Sequence, residues 1–275
     1  MRKYLIYIFI LLLAGCTNYA KVQKMSDPLA RFEASKELYA ERHYNQAATI
    51  LNDLIIPMKG TERGEECLFL LGMTNYKAKN YDAAAEAFQR YYKTYPRGAY
   101  AESAMFYSGM SLYNLTPEPR LDQSGTFTAI TELTGFLEAY PSSPRSWDVQ
   151  QRIFELQDKL VEKEYLNAKL YYDLGTYFGN CTSGGSNYQA CIVTAENALK
   201  EYLHCDRRED LSILILKSKF ELAQNSVLEK KRERYQDAID EFYNFQIEYP
   251  ESKFLPDAQK MYEKAKKYET KEIEE

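Results

Sequence analysis

The chain has 275 residues and a formal net charge of -5, from 35 Lys+Arg against 40 Asp+Glu. That balance excludes a general nucleic-acid binder, which needs a basic surface to displace counterions, and 45% hydrophobic residues exclude a disordered chain. With 12 Gly and 9 Pro the chain is poor in turn formers for an all-β protein, while its 25 Tyr suit half-exposed helical surfaces, because each phenol needs a partner or water.

The first residues set the compartment. Arg2 and Lys3 precede an apolar run from Tyr4 to Leu13, about half the length that spans a hydrocarbon core and the right length for a signal peptide. Leu13-Ala14-Gly15-Cys16 follows and resembles a bacterial lipobox. This reading predicts that residues 1–15 are removed, that Cys16 carries an N-acyl diacylglyceryl lipid, and that 16–27 form a tether. Three acyl chains exceed the two signals that stable anchoring takes. Asp is absent after Cys16, where Thr17 and Asn18 stand, which favours the outer membrane, periplasmic face. In an exported compartment Cys181 and Cys191, flanking a Gly-containing loop, are candidates for a disulfide, and Cys67 reads as a small core residue.

Self-comparison is the most informative step. Tyr44-Asn45-Gln46-Ala47, Tyr81-Asp82-Ala83-Ala84 and Tyr235-Gln236-Asp237-Ala238 each open an amphipathic stretch, and Phe127 and Tyr188 open looser versions. Three stretches end in Tyr-Pro, at Tyr95, Tyr140 and Tyr249, where Pro forbids helix continuation and pushes the preceding residue out of the α region. Upstream lie partner helices with small residues, Gly72 and Gly109, where two antiparallel helices approach closely. The pattern matches tetratricopeptide (TPR) repeats. It predicts an all-α fold, an α-solenoid of about five such repeats. These span about 30–60, 64–97, 100–142, 147–205 and 208–252, with a capping helix at 256–268, in one array over 28–270. Asn114–Gly125 carries about eight residues more than the pattern needs. The last repeat's second helix is expected to begin near Tyr235. Val149, Ile153, Leu156, Leu160, Val161, Leu166, Leu170 and Leu174 recur at helical spacing and predict one long central helix from Ser146 to Phe178.

Catalytic chemistry has no visible carrier. There is no P-loop, GxGxxG, GxSxG or HExxH, and the two histidines, His43 and His204, read as turn and helix-end residues. Paired acids such as Glu65-Glu66 and Asp240-Glu241 read as solvated faces. No enzyme, metal or cofactor beyond the Cys16 lipid is expected. A TPR array presents a groove made by the first helix of each repeat, and Tyr39, Asn75, Tyr76, Lys79, Tyr107 and Tyr113 are its candidates for binding an extended peptide.

The lipobox, five repeats and long helix together resemble the BamD family, lipoproteins of the outer-membrane β-barrel assembly machine. Arg152-Ile153-Phe154-Glu155-Leu156-Gln157-Asp158-Lys159-Leu160, with Glu164-Tyr165 and Tyr171-Tyr172, is similar to that family's central helix. The resemblance implies a non-enzymatic scaffold. Its N-terminal repeats, around Tyr39, Tyr76 and Tyr113, would receive the aromatic-ended signal of unfolded outer-membrane proteins. Its fourth and fifth repeats would dock a POTRA domain of a BamA-like barrel protein, and accessory subunits would complete the complex. Two other readings stand beside it: a periplasmic TPR adaptor for cell-wall enzymes or for secretion and pilus assembly, and a lipoprotein that binds a small ligand or glycan.

Overall fold

The computed structural model describes residues 19–177, 186–203 and 205–271. Among them the regular structure is helical: α1 (Pro28–Ala40), α2 (Tyr44–Leu54), α3 (Gly64–Lys77), α4 (Tyr81–Thr94), α5 (Ala101–Leu115), α6 (Ser124–Ala139), α7 (Ser146–Leu174), α8 (Asn187–Glu201), α9 (Arg208–Gln224), α10 (Leu228–Glu248) and α11 (Leu255–Lys271). A helical turn at 19–23 precedes them. None of the described helices is long and apolar enough to cross a membrane. The architecture is the all-α TPR-like solenoid that the repeats predict. The chain divides into two compact units, Met1–Pro117 with Gln123–Ile153, and Glu118–Asp122 with Phe154–Glu275.

In unit one, successive helices pack side by side from α1 to α6. Asp27 starts α1: its carboxylate accepts from the Leu29 and Ala30 amides, and Pro28 takes the first helical position, where its missing N–H is no loss. Phe32, Leu38, Ile50, Leu51, Leu54, Cys67, Leu71, Phe88 and Tyr91 form one continuous core. The small residues sit where the helices touch. A methyl group on Gly72 would meet the Phe88 ring at 2.5 Å, and one on Gly109 would meet Leu133 Cδ2 at 2.5 Å.

The Tyr-Pro stops share one geometry. Tyr95, Tyr140 and Tyr249 have φ near -130° (-124, -133 and -130) and ψ of 66, 60 and 65, and each donates its amide to the carbonyl four residues back. Tyr202 ends α8 the same way without a following Pro, at φ -114 and ψ 87.

α7 runs for 29 residues. Val149, Ile153, Leu156, Leu160, Val161 and Ala168 are buried along it. It stops at Leu174 rather than Phe178, because Gly175 takes a left-handed φ of 52 and its amide returns to the Tyr172 carbonyl at 3.0 Å. Phe178 lies outside the described residues. In unit two, Val161 and Ala168 pack with Cys191, Ile192, Ala195 and Leu211. Farther along, Ile213, Leu216, Phe242, Phe245 and Ala258 close the core. α10 begins at Leu228, well before Tyr235. The Lys, Glu and Arg residues from Glu229 to Arg234 are good helix formers with no apolar period to reveal them. The extra residues after α5 form a loop whose Glu118–Asp122 portion belongs to unit two, where the Lys163 ammonium donates to the Leu121 carbonyl at 3.0 Å.

Candidate functional site

Three of the six groove candidates come together on unit one. Tyr39, Tyr76 and Tyr107 project from α1, α3 and α5, the first helices of the first three repeats. All three are half-buried. In the first two repeats the next helix opens with a second tyrosine packed edge-on against the first: Tyr39 on Tyr44 and Tyr76 on Tyr81, both with ring centroids 5.5 Å apart. Tyr76 also meets Tyr107 at 5.1 Å, and Tyr107 stacks on Phe88 at 5.7 Å. Edge-on aromatic pairs of this kind are worth roughly 0.5–1.5 kcal/mol beyond their burial. Burial pushes the Tyr39 phenol up, and neighbouring Tyr44 and Tyr107 add to it. Burial likewise raises Tyr76, as do Tyr81 and Tyr107, while a hydrogen bond from Asn114 and the charge of Arg152 act the other way.

The cluster has a basic end. The Arg152 guanidinium lies 5.3 Å from the Tyr113 ring centroid and 3.5 Å from the Asp148 carboxylate. Arg145 lies over Phe106 at 4.9 Å and over Tyr107 at 5.9 Å, and donates to Ser103. Tyr113 thus joins the site through Arg152. Two candidates sit differently. Asn75 is buried, and its side-chain amide donates to the Leu71 carbonyl of its own helix. Lys79 is exposed and lies in the turn after α3 with a left-handed φ of 63. Tyr44, Tyr81, Asn114, Arg145 and Arg152 were not among the sequence candidates. The repeat register, which puts a tyrosine at the head of the second helix in the first two repeats, carries the signal for Tyr44 and Tyr81. Asn114 and the two arginines owe their places to tertiary packing.

The remaining sequence candidates are cysteines. Cys16 and Cys181 lie outside the described residues, as does His204. Cys191 is buried and forms no disulfide among the described residues, and burial raises its thiol pKa. Cys67 is buried as expected.

Unit two carries a charged surface on the fourth and fifth repeats. The Arg207 guanidinium is held by Glu162 at 2.6 Å and by Asp210 at 2.8 Å, and stacks over the Tyr165 ring at 4.7 Å. The two carboxylates raise its pKa further. A cleft of about 410 Å³ adjoins it, lined by Pro119, Glu155, Asp158, Lys159, Glu162 and Asp206 among others. Burial, then Asp206 and Glu155, pushes the Asp158 carboxyl above the usual carboxylate range. The arrangement can recognise charged surfaces. Glu65 and Glu241 are not the solvated acids the sequence suggested: Glu65 accepts from the Tyr91 hydroxyl and the Ala99 amide, and Glu241 holds Lys219 at 2.5 Å.

Residues 24–184, more than half of the chain, match the family YfiO, described as outer membrane lipoprotein. The outer membrane protein assembly factor BamD of Caulobacter vibrioides is 21% identical over 166 residues, which cover 59% of this chain and 54% of that relative. The chain thus spans about half the length of the relative it matches.

Proposed function

The chain belongs to the YfiO family of outer membrane lipoproteins, and from that premise we propose that it is a non-enzymatic scaffold for the assembly of outer-membrane β-barrel proteins. An N-acyl diacylglyceryl lipid on Cys16 anchors it to the periplasmic face of the outer membrane. Unit one receives unfolded barrel substrates, and unit two docks a barrel partner that carries POTRA domains.

The observation that carries the substrate role is the Tyr39–Tyr76–Tyr107 cluster with Arg152 at its end. Phenol rings offer apolar faces to an aromatic side chain and hydroxyls to an extended backbone, and a guanidinium matches a terminal carboxylate in a forked geometry. A segment that ends in an aromatic residue with a free carboxylate satisfies both. On unit two, Arg207, fixed by Glu162 and Asp210, presents a preorganised charged surface to a folded partner.

Fluorescence anisotropy of the acylated full chain in detergent, with a labelled nonapeptide ending in Phe, tests the substrate site. Tyr76→Ala and Tyr107→Ala weaken binding about tenfold each, in line with the loss of a buried aromatic anchor. Arg152→Gln abolishes the preference for the free carboxylate over its amide. Equal binding of both peptides to wild type ends the carboxylate reading. The scaffold role itself is read by a pull-down through a C-terminal tag. Near-equal recovery of a barrel protein with POTRA domains supports it. Recovery of cell-wall enzymes or secretins instead makes the chain an adaptor of another system.

A further inference from the structure

The loop after α5 is longer than the repeat pattern needs, and its Glu118–Asp122 portion lies against α7 within unit two. The Lys163 ammonium pins it there through the Leu121 carbonyl, at 3.0 Å. Loop and helix enclose a cleft of about 440 Å³, a volume in the range of ligand pockets. Arg120 lines it from the loop, and Lys163, Leu166, Asn167 and Leu170 line it from α7. Lys169 and Asp173 line it too, and are paired with each other at 2.8 Å.

Three cations thus face one carboxylate, in a chain whose net charge is -5. The carboxylate is already taken, because Asp173 holds Lys169. Lys163 donates to a neutral carbonyl, and the exposed Arg120 holds no carboxylate among the described residues. Both of these cations lie on the loop side, since Lys163 reaches across to Leu121, the residue after Arg120. The helix side is apolar: Leu166 and Leu170, four residues apart, share a face of α7, and Leu170 is 57% exposed. An extended segment sends successive side chains to opposite sides. Acidic residues alternating with apolar ones therefore meet the loop and the helix at once, and the Asn167 amide can donate to and accept from the segment's backbone. An acyl chain in the same place would strip water from Asn167 and from the Lys169–Asp173 pair without replacing a hydrogen bond.

We propose that this cleft binds an extended segment of a partner protein in which acidic and apolar residues alternate, the carboxylates at Arg120 and Lys163 and the apolar side chains at Leu166 and Leu170. The site does not rest on the scaffold reading: it uses none of the residues assigned to the Phe-ended substrate or to the Arg207 surface.

The test is fluorescence anisotropy of the full chain in detergent with three labelled nonapeptides, in which Asp alternates with Leu, Asn with Leu, or Asp with Ser. Both ends are capped, so that no terminal carboxylate competes at Arg152. The Asp–Leu peptide binds, and the other two bind at least about fivefold more weakly. Arg120 is the residue to change, because Lys163 also pins the loop. Arg120→Gln leaves the melting temperature unchanged and weakens the Asp–Leu peptide about fivefold. Leu170→Ser weakens it about threefold and leaves the Asp–Ser peptide as it was. Lys264→Gln, at an exposed position of α11, removes the same charge as a control for diffuse attraction and changes binding less than about twofold. Equal losses in Arg120→Gln and Lys264→Gln, no loss in Arg120→Gln, or equal binding of the Asp–Leu and Asn–Leu peptides overturns the proposal. Displacement of the Asp–Leu peptide by equimolar phosphatidylglycerol in the detergent makes the cleft a lipid site and overturns it as well.

Discussion

Arg42 and Lys79 hold a left-handed backbone, with φ of 65 and 63, where a glycine is the usual occupant. Each closes the first helix of its repeat in the same way: His43 N–H reaches back to the Leu38 carbonyl at 2.8 Å, and Asn80 N–H to the Asn75 carbonyl at 2.9 Å. The closure satisfies helix-end carbonyls, while the side chain at the turn costs roughly 1–2 kcal/mol. Glycine would remove that cost and add about 0.5–1 kcal/mol of unfolded-chain entropy to overcome. Lys79→Gly is therefore expected to stabilise the protein by about 0.5–1 kcal/mol, raising Tm by about 2 °C. A lower Tm in calorimetry would mean that the Lys79 side chain makes a contact worth more than the strain. Cys67 gives a pH prediction. Burial, with a smaller push from Glu66, moves its thiol from 9.0 up to about 12. The fold therefore favours the neutral thiol, and the unfolded chain gives up its proton first. The contribution to stability is whole below pH 9 and is lost as pH rises toward 12. Cys67→Ala lowers stability at pH 8 through the cavity it leaves, yet its denaturation midpoint should fall less between pH 9 and 11 than that of wild type. Parallel pH curves for the two proteins would remove Cys67 as the cause.

At the scale of elements, consecutive repeats are clasped by an acid in the first turn of one helix and the turn that opens the next repeat. Glu65 at the start of α3 accepts from the Ala99 amide at 2.7 Å. Glu102 at the start of α5 accepts from Ser143 at 2.7 Å, and Glu209 at the start of α9 accepts from Ser252 at 2.5 Å. Both serines also cap their turns, taking the Arg145 and Phe254 amides at 3.1 and 3.0 Å. Gly98 stands where the third serine would, and a side chain there would collide with Glu65 and Tyr91. A half-buried hydrogen bond to a carboxylate is worth about 1.5–3 kcal/mol. A double-mutant cycle on Glu102→Ala and Ser143→Ala should return a coupling of about 1 kcal/mol or more, read from urea midpoints at constant slope. Additive losses would reduce the clasp to two independent contacts. This device marks the limit of what the sequence makes legible. The Tyr-Pro stops follow from proline's own geometry, and Gly72 and Gly109 from the repeat register, so both could be read locally. Glu65 looked like a solvated acid because its acceptor role depends on a backbone amide in the next repeat. α10 begins early because a charged run makes helix without an apolar period. In the candidate site, Tyr39, Tyr76 and Tyr113 were legible because they share a register, each in the turn after the small residues Ser35, Gly72 and Gly109, whereas Tyr107 lies outside that register and meets Tyr76 from the next repeat's first helix. Asn75 stands one residue before Tyr76, and its amide turns back onto its own helix. Arg152 is brought to Tyr113 and Tyr76 by the start of α7, and no spacing within a repeat announces that.

At the scale of the whole molecule, the proposed anchor and the binding faces are separate in sequence. The tyrosine cluster and the Arg207 network are built from α1 onward, whereas Cys16 precedes every helix described. A Cys16→Ser chain should therefore fold as wild type does, with the same melting curve and the same affinity for a Phe-ended peptide. What it loses is place. Acyl chains contribute about 0.8 kcal/mol for each buried methylene, so three together hold a protein at a membrane through any salt wash. Docking to a partner through charges such as those of Arg207 is weakened by salt. Fractionation at low and high salt separates the two attachments. Wild type stays with membranes in both, whereas Cys16→Ser stays at low salt and is released at high salt. Restricting a scaffold to the membrane surface raises its effective concentration for partners held there, by a factor on the order of 10² or more. Cells depleted of wild type should then need many-fold overproduction of Cys16→Ser to restore barrel assembly. Retention of Cys16→Ser in high-salt membranes would place the anchor elsewhere in the chain, and full rescue at normal level would show that docking alone supplies the local concentration.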